Sequence, residues 1–171
     1  MRKKIFLTLG TPVLFGLVGT FALQTSSASA ADGNWLQANF IETTQQVTNR
    51  VGDLGVLQII NTGTGTVQGF GSATMVIGIT QDHDVTPCGP GSWTNAAVRR
   101  ITLAQGVLVV EELADACPTP SGTIISGTFQ VDGLSSSGVF AGAWGSGHVT
   151  IDVATTTSFL IGNLHLRNSD N

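Results

Sequence analysis

Apolar and polar residues alternate one for one along much of this chain. Met75, Ile77 and Ile79 alternate with Thr74, Val76, Gly78 and Thr80, and Val149, Ile151 and Val153 alternate with Thr150, Asp152 and Ala154. A period of two puts one set of side chains on a buried face and the other on a wetter one, as in a β-strand. Runs of this kind fall near residues 40–49, 55–61, 65–70, 72–80, 96–104, 107–113, 123–131, 139–144, 147–155 and 158–166, some of them continuous across a bulge. No long segment has convincing helical periodicity. Trp35 to Val47 comes nearest, and Ile41 to Val47 reads equally well as a strand. About eight or nine short strands with Gly-rich turns predict an all-β fold, a small antiparallel β-barrel or sandwich.

One hairpin follows from its turn. Val98 to Leu103 and Val107 to Glu112 flank Ala104-Gln105-Gly106. A three-residue loop ending in glycine suits a turn whose last residue has positive φ. That register opposes Leu103 to Val107, Ile101 to Val109 and Arg99 to Glu111. A slip to a two-residue loop still brings Arg99 and Arg100 opposite Glu111 and Glu112, but changes which of them share a face.

The first thirty residues differ from the rest. Arg2, Lys3 and Lys4 precede an uncharged stretch from Ile5 to Leu23, and Ala28-Ser29-Ala30 fits a small-x-small cleavage pattern. This predicts a signal peptide over residues 1–30 and a secreted protein. The alternative is a membrane anchor, which Gly10, Pro12, Gly16 and Gly19 disfavour. Without a twin arginine, general secretory export is the expected route, with no stable membrane anchor after cleavage. Residues 31–171 are then a single domain, large enough to bury about two-thirds of its unfolded surface. No Pro-rich linker or charged run divides it.

Charge narrows the partners. The whole chain carries 7 Lys and Arg against 11 Asp and Glu. All eleven acids follow Ala30, so the mature part keeps four arginines, no lysine and a net charge of −7. Nucleic-acid binding needs clustered cations and is excluded as an expectation. No cofactor motif is found. Gly63 to Gly69 mimics a phosphate loop only loosely, with no lysine or helix after it, and Gly145-Ser146-Gly147 is not a nucleophile elbow.

Two cysteines, Cys88 and Cys117, are predicted to form one disulfide across the open end of the 98–112 hairpin. Asp82-His83-Asp84, with His148 and His165, is the densest ligand-like cluster, and its plain reading is a solvated turn before Pro87. Neighbours on a strand point to opposite faces, so no metal site is expected. The Arg99–Glu111 pair is either an exposed cross-strand pair or a buried pair able to hold a polar ligand group.

Val139-Phe140-Ala141-Gly142-Ala143-Trp144-Gly145, after the Gly-rich turn from Gly133 and before the strand to Ile151, resembles the hairpin of the allene oxide cyclase and dirigent-like barrels. The resemblance covers about twenty residues closely. It implies an eight-stranded antiparallel barrel, Phe140 in its interior, and self-association as a trimer. It carries over no catalytic residue.

Three functions are therefore weighed. The first is a binding barrel holding a small apolar ligand in its lumen, with Arg99, Glu111, Phe140 and Trp144 as the ligand-contacting candidates. The second is a cyclase or isomerase of an apolar substrate, anchored by Arg99 and Glu111. The third is a structural cell-surface or matrix protein. An open pocket with polar anchors favours the first two, and a lumen filled by Phe and Ile favours the third.

Overall fold

The computed structural model describes residues 35–48 and 55–167. The expected export segment, residues 1–30, lies outside them. The described residues contain no helix. Their strands are β1 (Leu36–Thr48), β2 (Val56–Val67), β3 (Gly71–Asp82), β4 (Trp93–Leu103), β5 (Gly106–Thr119), β6 (Gly122–Val131), β7 (Ser137–Gly138), β8 (Ser146–Asp152) and β9 (Thr157–Gly162).

Eight of these close on themselves in the order β1-β2-β3-β4-β5-β6-β8-β9, with β9 paired back to β1 and every pairing antiparallel. Closure satisfies both edges of the sheet, so no long unpaired strand is left to template aggregation. The predicted eight-stranded antiparallel barrel is the fold. The runs expected at 55–61 and 65–70 merge into one long strand, β2, which ends at Val67, and residues 68–70 form the turn into β3. Residues 139–144 are not a strand. They form turns that carry Phe140 inward; just before them Ser137–Gly138 pair with Gly106 and Val107, and at their end Trp144 makes a single bridge to His165.

The 98–112 hairpin has a two-residue loop. Leu103 pairs with Gly106, so Arg99 lies opposite Val110 and Arg100 opposite Val109, and the expectation that such a slip still opposes the arginines to Glu111 and Glu112 fails. The physical reason lies at Gly106. It opens β5 instead of ending the turn, with φ +147° and its α-carbon face pressed against the backbone of Ser137 and Gly138. A side chain there would collide with β7. The one-residue slip changes the set of interior residues on β5 to Leu108, Val110, Glu112, Ala114 and Ala116, all buried. Glu111 points outward and is exposed. Val109, also on the outer side, is nevertheless buried, because its amide donates to Ser136 Oγ and its carbonyl accepts from Asp132 in the segment folded over it.

The two halves of the lumen differ. At the end where both described termini lie, Leu36, Phe40, Met75, Leu103, Leu108, Phe129, Phe140 and Leu160 pack into a continuous core. Two phenylalanines lie opposite glycines on the neighbouring strand: Phe40 faces Gly65, and Phe129 faces Gly147. A β-carbon on either glycine would come within 2.7 Å of the facing ring. Pairing large with absent side chains is how a narrow barrel fits aromatic rings inside. Phe140 closes this end, fully buried and 5.0 Å from Phe70 between ring centroids. Towards the opposite end no phenylalanine among the described residues fills the interior, polar side chains join isoleucines on the wall, and the lumen is hollow.

The disulfide joins Cys88 in the β3–β4 loop to Cys117 on β5, as expected. It ties that loop to the rim of the hollow end.

Candidate functional site

Alternation dictates the floor of the hollow. On β1 the inward positions run Leu36, Ala38, Phe40 and then Glu42, so a carboxylate follows three apolar residues into the barrel. On β4 the same parity carries Ile101 and then Arg99, and on β5 it carries Val110 and then Glu112. Three charged side chains thus meet in the lumen. Arg99 is 0% exposed, Glu42 6% and Glu112 7%.

Arg99 connects them. Its Nε donates to Glu112 Oε1 at 2.6 Å and its Nη2 to Glu112 Oε2 at 3.3 Å. Its Nη1 donates across the lumen to Glu42 Oε1 at 2.8 Å and to Ser158 Oγ at 3.1 Å, and touches Met75 Sδ at 3.4 Å. The guanidinium carbon stands 5.9 Å from the centre of the Phe40 ring. Since β1 and β5 lie on opposite sides of an eight-stranded barrel, this cluster is a polar strut across the interior.

Burial alone would push the Glu42 pKa up. The Arg99 charge, with hydrogen bonds from Ser158, Arg99 and Asn61, outweighs that and holds it below the ordinary carboxylate range. Burial likewise opposes the Arg99 charge, and Glu112 and then Glu42 more than restore it, so its pKa is raised. Both groups are ionised at neutral pH. A carboxylate held this firmly in its charged form is a hydrogen-bond acceptor and a poor general base, because a base works best with a pKa near the operating pH.

Above the strut lies a cavity of about 420 Å³. Its wall is mostly apolar, with Ile59, Ile79, Ile125, Ile151, Val153 and Trp93, and its polar members include Glu42, Asn61 and Gln81. A smaller hollow of about 20 Å³ against Glu112 shares Ile79, Ile125 and Ile151 with it. The cavity reaches the rim, where Val153 and Thr156 are exposed. Trp93 is held in place by its Nε1 donating to Asn95 Oδ1 at 3.1 Å and by stacking on His83 at 5.1 Å. Thr156 has φ +55°, a left-handed conformation unusual for a β-branched residue. Its carbonyl accepts from the Glu42 amide at 2.8 Å, which fixes the backbone beside the carboxylate. Strain of this kind is found where surrounding structure dictates the geometry, often at binding sites.

The sequence candidates are dispersed. Arg99 lies in the strut beneath the cavity. Glu111 is outside the barrel, two strand faces removed from any lumen contact. Phe140 is in the packed end, and Trp144 is 60% exposed, stacked on His165 at 3.7 Å on the surface. Neither lines the cavity. Asp82 accepts from the Asp84 amide at 2.9 Å, an ordinary turn, and no metal-binding group of His, Cys, Asp or Glu exists among the described residues. Glu42, Asn61, Gln81, Trp93 and Glu112 went unassigned at the sequence level. Extending the alternation back from Phe40 to Leu36 would have marked Glu42.

Comparison of the chain with protein-family models, with characterised proteins and with solved structures finds no match. The barrel therefore establishes a fold without identifying a family.

Proposed function

We propose that this protein is an exported binding barrel that holds a small, mainly apolar molecule in the hollow half of its lumen. The observation that carries the reading is the cavity of about 420 Å³, walled by isoleucines and Trp93 and floored by a few fixed polar groups. Ligand sites are typically 300–1,000 Å³, largely apolar, with a small number of placed polar side chains. The opposite end is packed shut by phenylalanines, so the barrel is a cup and not a channel. Export is supported by the disulfide, which persists in oxidising compartments, together with the basic, apolar and small-residue order of the first thirty residues. Binding is preferred over cyclase or isomerase chemistry because Glu42 is locked as an anion by Arg99, which leaves the cavity without a carboxyl suited to proton transfer.

Untargeted mass spectrometry of small molecules released from the purified protein tests the reading. A discrete apolar species in the native protein, absent when Val153→Trp fills the rim, is the expected result. Equal small-molecule content in the two proteins would remove it.

A further inference from the structure

The polar floor of the cavity is one-sided, and its chemistry specifies which end of a ligand it accepts. Glu42 Oε1 faces Arg99, while its Oε2 accepts from Asn61 Nδ2 at 3.1 Å. A carboxylate can only accept, so it must face the amide nitrogen of Asn61, and the amide oxygen is turned away from it. That oxygen, Asn61 Oδ1, is buried and has no hydrogen-bond partner among the described residues. Gln81 lies further up the wall, where its Oε1 pairs with His83 Nε2 at 3.2 Å and its amide nitrogen is a donor above the floor. The groups presented at the floor are therefore acceptors: the free lone pairs of Glu42 Oε2 and the Asn61 oxygen.

The charge balance has the same sign. The buried charged side chains among the described residues are Glu42, Glu112 and Arg99, two carboxylates against one guanidinium. All the Arg99 nitrogens are engaged by Glu42, Glu112, Ser158 and Met75, so among the described residues no free cation faces the cavity. A buried excess carboxylate is costly unless a positive group compensates it. A buried acceptor without a donor is costly in the same way.

Building on the binding role proposed above, we infer that the lumen ligand is an apolar amine, its chain against Ile59, Ile79, Ile125 and Ile151 and its ammonium group donating to Asn61 Oδ1 and Glu42 Oε2. An ammonium has three donors and no acceptor, and it supplies the missing positive charge. A hydroxyl meets the donor requirement but not the charge. A carboxylate meets neither, since it brings acceptors and a second negative charge to a floor made of acceptors.

Calorimetric titration of the mature protein at neutral pH with decylamine, decan-1-ol and decanoate tests the inference. Decylamine should bind at one site per chain, at least tenfold tighter than decan-1-ol, with decanoate weakest. Asn61→Leu should reduce decylamine affinity at least tenfold and leave decanoate unchanged. If that variant does not fold, the order of the three probes on the unaltered protein decides alone. Decanoate binding as tightly as decylamine, or decylamine binding untouched by Asn61→Leu, would overturn the amine assignment while leaving an apolar-ligand barrel in place. Failure of all three probes to bind would overturn the binding reading itself, and the amine with it.

Discussion

Arg99 on β4 reaches diagonally along the neighbouring strand to Glu112. The two are not in register: Arg99 pairs with Val110 and Glu112 with Ala97, yet Arg99 Nε lies 2.6 Å from Glu112 Oε1. The lean directs the guanidinium towards the hollow end, where Glu42 meets it from across the barrel. One side chain thereby links β4, β5, β1 and, through Ser158, β9. It also divides the lumen into a packed half and a hollow half.

Arg99→Met should destabilise the protein by about 3–5 kcal/mol, because it strands two buried carboxylates. The triple change Arg99→Met, Glu42→Leu and Glu112→Leu should cost much less, since no buried charge remains. Glu111→Gln, on the exposed face, should stay within about 1 kcal/mol. Urea denaturation of the four proteins checks this. A loss for Glu111→Gln equal to that for Arg99→Met would contradict the register.

Acid should weaken the strut from the Glu42 side. Its folded pKa is depressed below the ordinary 4.5, so its contribution is fully present above that value and is lost as pH falls through the lower folded value. The groups facing it are Arg99, Ser158 and Asn61. Urea midpoints should therefore fall as the pH drops below about 4.5, and fall less in Glu42→Gln, which has no proton to take up there. An identical acid slope in both proteins would mean that Glu42 does not contribute.

How much of this was legible in the sequence depends on which physical effect decides each feature. Strand alternation and glycine spacing sufficed for the all-β barrel, because side-chain parity in a half-buried strand is strictly constrained. The disulfide followed from there being two cysteines in a chain with an export-like start. Burial of Arg99 beside a glutamate of β5 was visible as one of two options. Its true partner was not, because the parity of β5 depends on Gly106, whose conformation answers to β7, more than thirty residues further on. Glu42 was hidden for a similar reason: its meeting with Arg99 across the lumen depends on closure between β9 and β1, which no local pattern encodes, and Asn61 matters only through Glu42. Trp144 entered as a candidate through the barrel-like run from Val139 to Gly145, where local pattern does not tell an inward from an outward aromatic, and the structure uses it on the surface against His165.

The packed half should be sensitive to single methyl groups. Gly147→Ala would place a β-carbon 2.7 Å from the Phe129 ring and against the backbone of Ile161 and Gly162. Overpacking of this kind costs about 1–3 kcal/mol, and the backbone contacts put this site at the upper end. Gly78 has open space around the same position, so Gly78→Ala is the matched control and should be near neutral. Thermal unfolding of the pair gives the comparison, and equal midpoints would argue against the Phe129–Gly147 fit.

The disulfide should matter to stability and to the cavity together. Cys88 and Cys117 are 29 residues apart in sequence. Closing a loop of that length removes unfolded-state entropy worth about 3.6 kcal/mol in the chain-entropy treatment, an upper figure. The native consequence is local. Cys88 belongs to the loop that leads into Trp93, and His83 at the start of that loop stacks on the Trp93 ring, which lines the cavity. Ser92 secures the same loop, donating to the Gly89 carbonyl at 2.6 Å and accepting from the Cys88 amide at 3.1 Å. Cys88→Ser with Cys117→Ser should thus lower the urea midpoint and also raise the exposure of Trp93, read as acrylamide quenching against a Trp35→Phe, Trp144→Phe background. Since Ser92 and the Asn95 bond to the indole remain, the barrel itself should stay folded at 25 °C. A lowered midpoint with unchanged quenching would confine the disulfide to the unfolded state. An unchanged midpoint would remove its stabilising role altogether.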